Sequence, residues 1–160
     1  QPHPPLFIGG GGHRILALAG READIVGLAP RTLTSASGET VRSDPRSITI
    51  AATVEKLGWV REAAGERFAD LEFNVYPTAV APTITNGARK IAADTLDGIR
   101  NRTGVEIGVD EWLASPGIFV GTVDALVAKI QELRERLGIT SFMLGDLDGL
   151  APVVERLAGT

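Results

Sequence analysis

Four consecutive glycines, Gly9-Gly10-Gly11-Gly12, follow the short apolar run Leu6-Phe7-Ile8 and precede Ile15, Leu16, Leu18 and Ala19, which recur at helical spacing. A glycine run between a strand and a helix exposes main-chain N–H groups where the helix dipole is positive, with no Cβ to keep an anion away. The chemistry this spacing allows is capture of a phosphate, each favourable charge there being worth about 0.3–1 kcal/mol when exposed. A tight strand-to-helix turn with no ligand is the plain structural alternative. Arg31 and Thr32 lie just after a second apolar run, Ala23 to Ala29, at the same end of a parallel arrangement. There a guanidinium and a hydroxyl can reach the same anion, or the arginine is simply a solvated loop residue.

Other motifs carry less. The dinucleotide fingerprint fails, because Gly9-x-Gly11 is followed three residues on by Arg14, and Gly10-x-Gly12 by Ile15. Arg31 at the end of the second strand keeps an NADP-binding Rossmann domain as a weaker competitor, whereas no Gly-Lys-Ser/Thr follows to make a P-loop. With no cysteine, the chain has no disulfide, thiolate zinc site or cysteine nucleophile, and His3 and His13 are not spaced to ligate a metal. His13 reads as an exposed first-turn residue. No Ser/His/Asp set assembles, so no catalytic residue is identified. Asp24 begins a strand at the end opposite the glycines and reads as structural. Asp146 ends the fourth strand on the ligand side, but Asp146-Leu147-Asp148-Gly149 is equally a capping turn.

The elements that must position these residues follow from periodicity. Ala23 to Ala29 is nearly continuous in apolar residues and suits a parallel strand covered on both faces. Residues 30 to 43 read as a long exposed loop, and Asp44-Pro45 caps a helix running to about Ala64. Leu71 to Tyr76 is a third strand with Leu71, Phe73 and Val75 on one face and Glu72, Asn74 and Tyr76 on the other. A helix follows an Asn86 cap, a turn of helix lies near Asp110 to Ala114, and a long helix starts after Thr122 and stops at Gly138. Ile139 to Leu144 is a fourth strand, and a helix near Leu150 to Leu157 completes β, α repeated four times.

A (β/α)₈ barrel needs about 250 residues. These 160 residues carry four of its eight units and form one domain spanning 1–160, a half-barrel. Such a sheet has two unpaired edges and one uncovered concave face. Glu72 is therefore expected to face an enclosed polar interior with a basic or hydrogen-bonding partner. Composition agrees with a soluble cytoplasmic protein: 44% hydrophobic, 22% charged, net charge −4 and no membrane-length apolar stretch. The acidic balance excludes a nucleic-acid binder with a basic face. A start at Gln1 points to a fragment or processed chain.

Pro5-Leu6-Phe7-Ile8-Gly9-Gly10-Gly11-Gly12, continued by Leu18 to Val26, resembles the fifth strand, phosphate loop and following segment of the bacterial-luciferase-like superfamily. Glu55 to Phe68 and Gly121-Thr122-Val123-Asp124 resemble its branch that uses the deazaflavin coenzyme F-420. The resemblance implies an α/β fold, the C-terminal half of a TIM barrel, in an oxidoreductase moving a hydride between the coenzyme and a small organic substrate. It implies that Gly11 and Gly12 donate N–H groups to the coenzyme phosphate, that Gly9 and Gly10 shape the approach, and that Arg31 or Thr32 adds a second contact. Residues handling the proton and hydride come mostly from the other half of the family's barrel. The family includes FMN-dependent monooxygenases, so FMN is the alternative cofactor. A half-barrel without catalysis of its own, assembling as a homo-oligomer or with an N-terminal half, is a further alternative.

Overall fold

The computed structural model describes residues 4–34, 40–145 and 148–158. In chain order, β1 (Phe7–Gly10) leads into α1 (His13–Glu22), β2 (Ile25–Leu28), the strands β3 (Thr32–Thr34) and β4 (Thr40–Ser43), and α2 (Ile50–Ala64). There follow β5 (Glu72–Val75), β6 (Thr83–Ile84), α3 (Ala88–Thr103), α4 (Val109–Ala114), β7 (Val120–Gly121), α5 (Val123–Leu137), β8 (Ile139–Phe142) and α6 (Ala151–Leu157).

β1, β2, β5 and β8 form one parallel sheet in that order, with Gly9, Gly27, Asn74 and Ser141 in register across it. Val26, Leu28, Phe73, Val75 and Ile139 point to one face, where they share a core with Leu16 and Ala19 of α1, Leu57 and Val60 of α2, Leu126 to Leu133 of α5, and Val153 of α6. All four helices thus cover the same face. Burying each large side chain contributes about 1.5–3 kcal/mol, and the stripe spacing on α5 sets which residues take part. The sequential strand order differs from the 3-2-1-4 order of a dinucleotide-binding sheet, which removes the Rossmann alternative.

The structure departs from the sequence expectations in four places. Residues 30 to 43 contain an antiparallel pairing, Thr32 opposite Ser43 and Leu33 opposite Arg42, in place of a plain loop. Asp44 and Pro45 start a short 3₁₀ turn, Pro45–Ile48, and α2 opens afresh with Thr49 capping the Ala52 N–H. The cap of α3 is Gly87, not Asn86. Glu72 is exposed, without a side-chain partner among the described residues, in place of the enclosed setting expected for it, because none of the described helices joins the core on its face of the sheet. Its neighbour Asn74 is 2% exposed, and donates to Ser141 Oγ at 2.9 Å while its Oδ1 has no partner. Asp146 and His3 lie outside the described residues.

α5 joins the sheet core through Leu126, Val127, Ile130 and Leu133, whereas α3 and α4 build a satellite core from Ala92, Leu96, Ile99, Trp112, Ile118 and Val120. A two-residue parallel pairing of β6 with β7 ties the two ends of this excursion. Among the described residues no helix is long and apolar enough to cross a membrane.

Candidate functional site

A cavity of about 1530 Å³ opens at the C-terminal ends of β1, β2 and β5. Parallel barrels place their ligand sites at this end, where strands finish and helices begin. Gly9, Gly10, Gly11, Gly12, Arg31 and Thr32 all line it, so the six residues singled out by sequence converge on one cleft. A second wall comes from Tyr76 to Ala79 after β5 and from Ile99, Arg102 and Thr103 of α3, which sequence reasoning did not associate with the site.

The four glycines are not equivalent. A Cβ on Gly10 would lie 2.2 Å from the Ile15 side chain, so this glycine makes room for the first turn of α1. A Cβ on Gly11 would lie 2.3 Å from the Pro30 carbonyl oxygen and 2.6 Å from the Arg31 nitrogen, so the two loops are in backbone contact there. At Gly9 the contacts would be ordinary, and at Gly12 a Cβ would meet nothing within 4 Å. Gly12 caps α1 with extended φ and ψ that any residue adopts, and no side chain caps the helix. The first N–H groups of α1 are therefore left to a ligand or to water.

Arg31 leaves the end of β2 with its N–H donated to Ser47 Oγ at 2.8 Å and its carbonyl accepting from the Asp44 N–H at 2.7 Å. Its guanidinium is half exposed and only 4.0 Å from the Glu55 carboxylate, a contact weak enough to exchange for an anion in the cleft. Thr32 follows as the exposed first residue of β3. His13 packs edge-on against Trp59 of α2, with ring centroids 5.4 Å apart. Arg14, Arg21 and Arg102 also line the cleft, against one carboxylate, Asp44, among the described residues, so that lining is cationic in a chain of net charge −4. Asp24 has the structural role read for it, its carboxylate accepting the Leu6 N–H at 2.7 Å at the opposite end of the sheet.

Lys56 was missed. It lies beneath the cleft, its Nζ donating to the carbonyls of Ala29 at 2.7 Å and Ser47 at 2.6 Å. Burial, reinforced by the Arg31 guanidinium, lowers its pKa to about 8 against the opposing pull of Asp44 and Glu55. The signal that finds it is periodic: Thr53, Lys56, Leu57 and Val60 fall on the buried stripe of α2.

No family profile matches the chain, and no curated protein matches it in sequence. Among solved structures it is similar to an F-420-dependent secondary alcohol dehydrogenase in complex with an F-420–acetone adduct, with TM-score 0.54 and 14% identity over 98% of this chain and 48% of that one. It is also similar to the coenzyme F-420-dependent tetrahydromethanopterin reductase of Methanopyrus kandleri, with TM-score 0.52 and 18% identity over 93% of this chain and 48% of that one. Long-chain alkane monooxygenase (LadA) overlays at TM-score 0.48 and 14% identity, over 95% of this chain and 38% of that one. The chain spans about half the length of the first two structures. The likeness is one of fold: parallel βα units forming the C-terminal half of a TIM barrel.

Proposed function

We propose that this chain is the C-terminal half of a luciferase-like oxidoreductase and that its cleft holds the phosphate of a deazaflavin coenzyme, with FMN as the alternative. The observation that carries the reading is Gly12: an uncapped helix start, open to a cationic cleft, at a position where packing does not demand a glycine. The fold shared with two F-420-dependent enzymes supports the deazaflavin. The coenzyme, when bound, supplies the hydride chemistry. In this reading the chain's own residues bind and orient it. Gly11 and Gly12 present main-chain donors, Gly9 leaves room for the approach, Gly10 shapes it only by letting the first turn of α1 pack close, and Arg31 or Thr32 adds a second contact to the phosphate. Residues that move the proton belong to the complementary half, and the substrate is a small organic molecule.

Gly12→Asp tests this. Aspartate is a favoured cap whose carboxylate takes the same N–H groups and adds a negative charge. The variant is expected to keep or slightly raise the thermal midpoint while coenzyme affinity, titrated by absorbance with F-420 and with FMN, falls at least tenfold. Unchanged affinity for both coenzymes overturns the site. The open concave face favours a second reading, a half-barrel whose role is assembly.

A further inference from the structure

Two segments at the cleft, the end of β2 and the turn at Ser47, rest on one buried ammonium group, that of Lys56. Lys56 is 3% exposed. The Ala29 carbonyl that it binds belongs to a residue whose N–H donates to the Gly10 carbonyl at 2.9 Å, which joins the end of β2 to the glycine run. The Ser47 carbonyl that it binds belongs to a residue whose Oγ accepts the Arg31 N–H and donates to the Asp44 carbonyl at 2.6 Å. Between these two anchors the Pro30–Arg31 peptide lies against the Cα of Gly11. Moving Lys56 therefore moves Arg31 relative to the start of α1.

A lysine on a buried stripe is costly, since its charge must be desolvated, and an apolar residue of similar length would pack there without that cost. We propose that Lys56 is a positioning residue for the anion site, holding the Ala29 and Ser47 carbonyls so that Arg31 and the open end of α1 face the same anion, and adding a positive charge beneath it. This rests on the phosphate reading above. With its pKa lowered to about 8, Lys56 loses that charge between pH 7.5 and 9.5. The charged or titratable groups facing it are Arg31, Asp44, Glu55 and, across the small void beside it, Tyr76.

The test uses sulfate, which keeps two charges throughout this range, titrated into the full chain and read from amide chemical shifts in α1 and at Arg31. Wild-type affinity is expected to fall about fivefold from pH 7.5 to 9.5, as one neighbouring charge is lost. Lys56→Met is expected to bind at least tenfold more weakly at pH 7.5, with the pH dependence gone. Without sulfate, exchange protection of the Ala29 and Arg31 amides is expected to fall at least tenfold in this variant while the Val26 and Phe73 amides hold. If Lys56→Met does not fold, the wild-type pH series decides. A flat wild-type series, or a folded variant with wild-type affinity and protection, overturns the role of Lys56 and leaves the anion site standing. No sulfate-dependent shift in wild type at either pH overturns the anion site itself and the positioning role with it.

Discussion

Gly11 and Gly12 are adjacent and lack side chains for opposite reasons. At Gly11 the space is taken by the Pro30–Arg31 backbone; at Gly12 it is empty. Gly11→Ala must push two loops apart and is expected to cost about 1–3 kcal/mol, as overpacked sites do. Gly12→Ala changes only the cap and is expected to cost about 0.5–1 kcal/mol. Urea midpoints of the two variants check this, and equal costs would mean that the two loops are not in the contact described. At this scale the site was half legible. Glycine is visible in a sequence as a conformational licence, so the run and its place before a helix could be read. The neighbour that the missing Cβ of Gly11 accommodates, the Pro30–Arg31 backbone, comes from a different loop, and no local pattern encodes it. Lys56 was passed over because charge usually marks the solvated face of a helix. Its position on an apolar stripe was the contrary signal.

At the scale of elements, α5 was read to within its caps, since Thr122 caps the Ala125 N–H and Gly138 closes the helix in the left-handed region at φ 67°. Strong periodicity between a Thr cap and a Gly stop leaves little freedom. The β3–β4 pairing and the α3–α4 satellite were not legible as such, because a polar Thr- and Arg-rich stretch looks the same whether or not it pairs with itself. What anchors the satellite is Lys129 of α5, whose Nζ donates to the carbonyls of Leu113, Ser115 and Ile118. Lys129→Met takes the ammonium from three carbonyls, of which Ser115 keeps the Ile118 N–H, and is expected to destabilise by about 2–4 kcal/mol at pH 7. Burial lowers the folded-state pKa of Lys129 from 10.5 to about 7. The unfolded chain therefore binds the extra proton between those values, and stability should rise as pH climbs from 7 toward 10. Lys56, lowered to about 8, acts in the same direction over the upper part of that window. Urea unfolding at pH 6.5, 8 and 9.5 should show a smaller rise in Lys129→Met than in wild type; equal slopes would remove Lys129 from the pH dependence.

For the whole molecule, the decisive asymmetry is that, among the described residues, four helices cover one face of the sheet and none joins a core on the other. β1 and β8 are both edges, and a parallel sheet with open edges and an open face is an unusual end state for a soluble chain. Phe7, which lies over Gly27 on the face away from the helices, is 45% exposed, and Tyr76 and Met143, just past the ends of β5 and β8, are 38% and 59% exposed. On the polar face of β5, Glu72 is exposed, whereas Asn74 is 2% exposed with its Oδ1 unpartnered. Exposed apolar side chains and a buried, unpartnered amide oxygen fit a sheet that another layer completes. The alternation of the third strand separates its polar face from its core face, but Glu72 is exposed and not enclosed as expected, since alternation does not say what lies opposite. This half alone is therefore expected to self-associate. Sedimentation velocity at micromolar concentrations should give a mass above 16.8 kDa, and Phe7→Lys should shift the distribution toward that value by placing a charge on the face away from the helices. A wild-type chain that stays monomeric and well folded across that range would mean that the concave face tolerates water, and that neither a second copy nor a complementary half is needed to finish the fold.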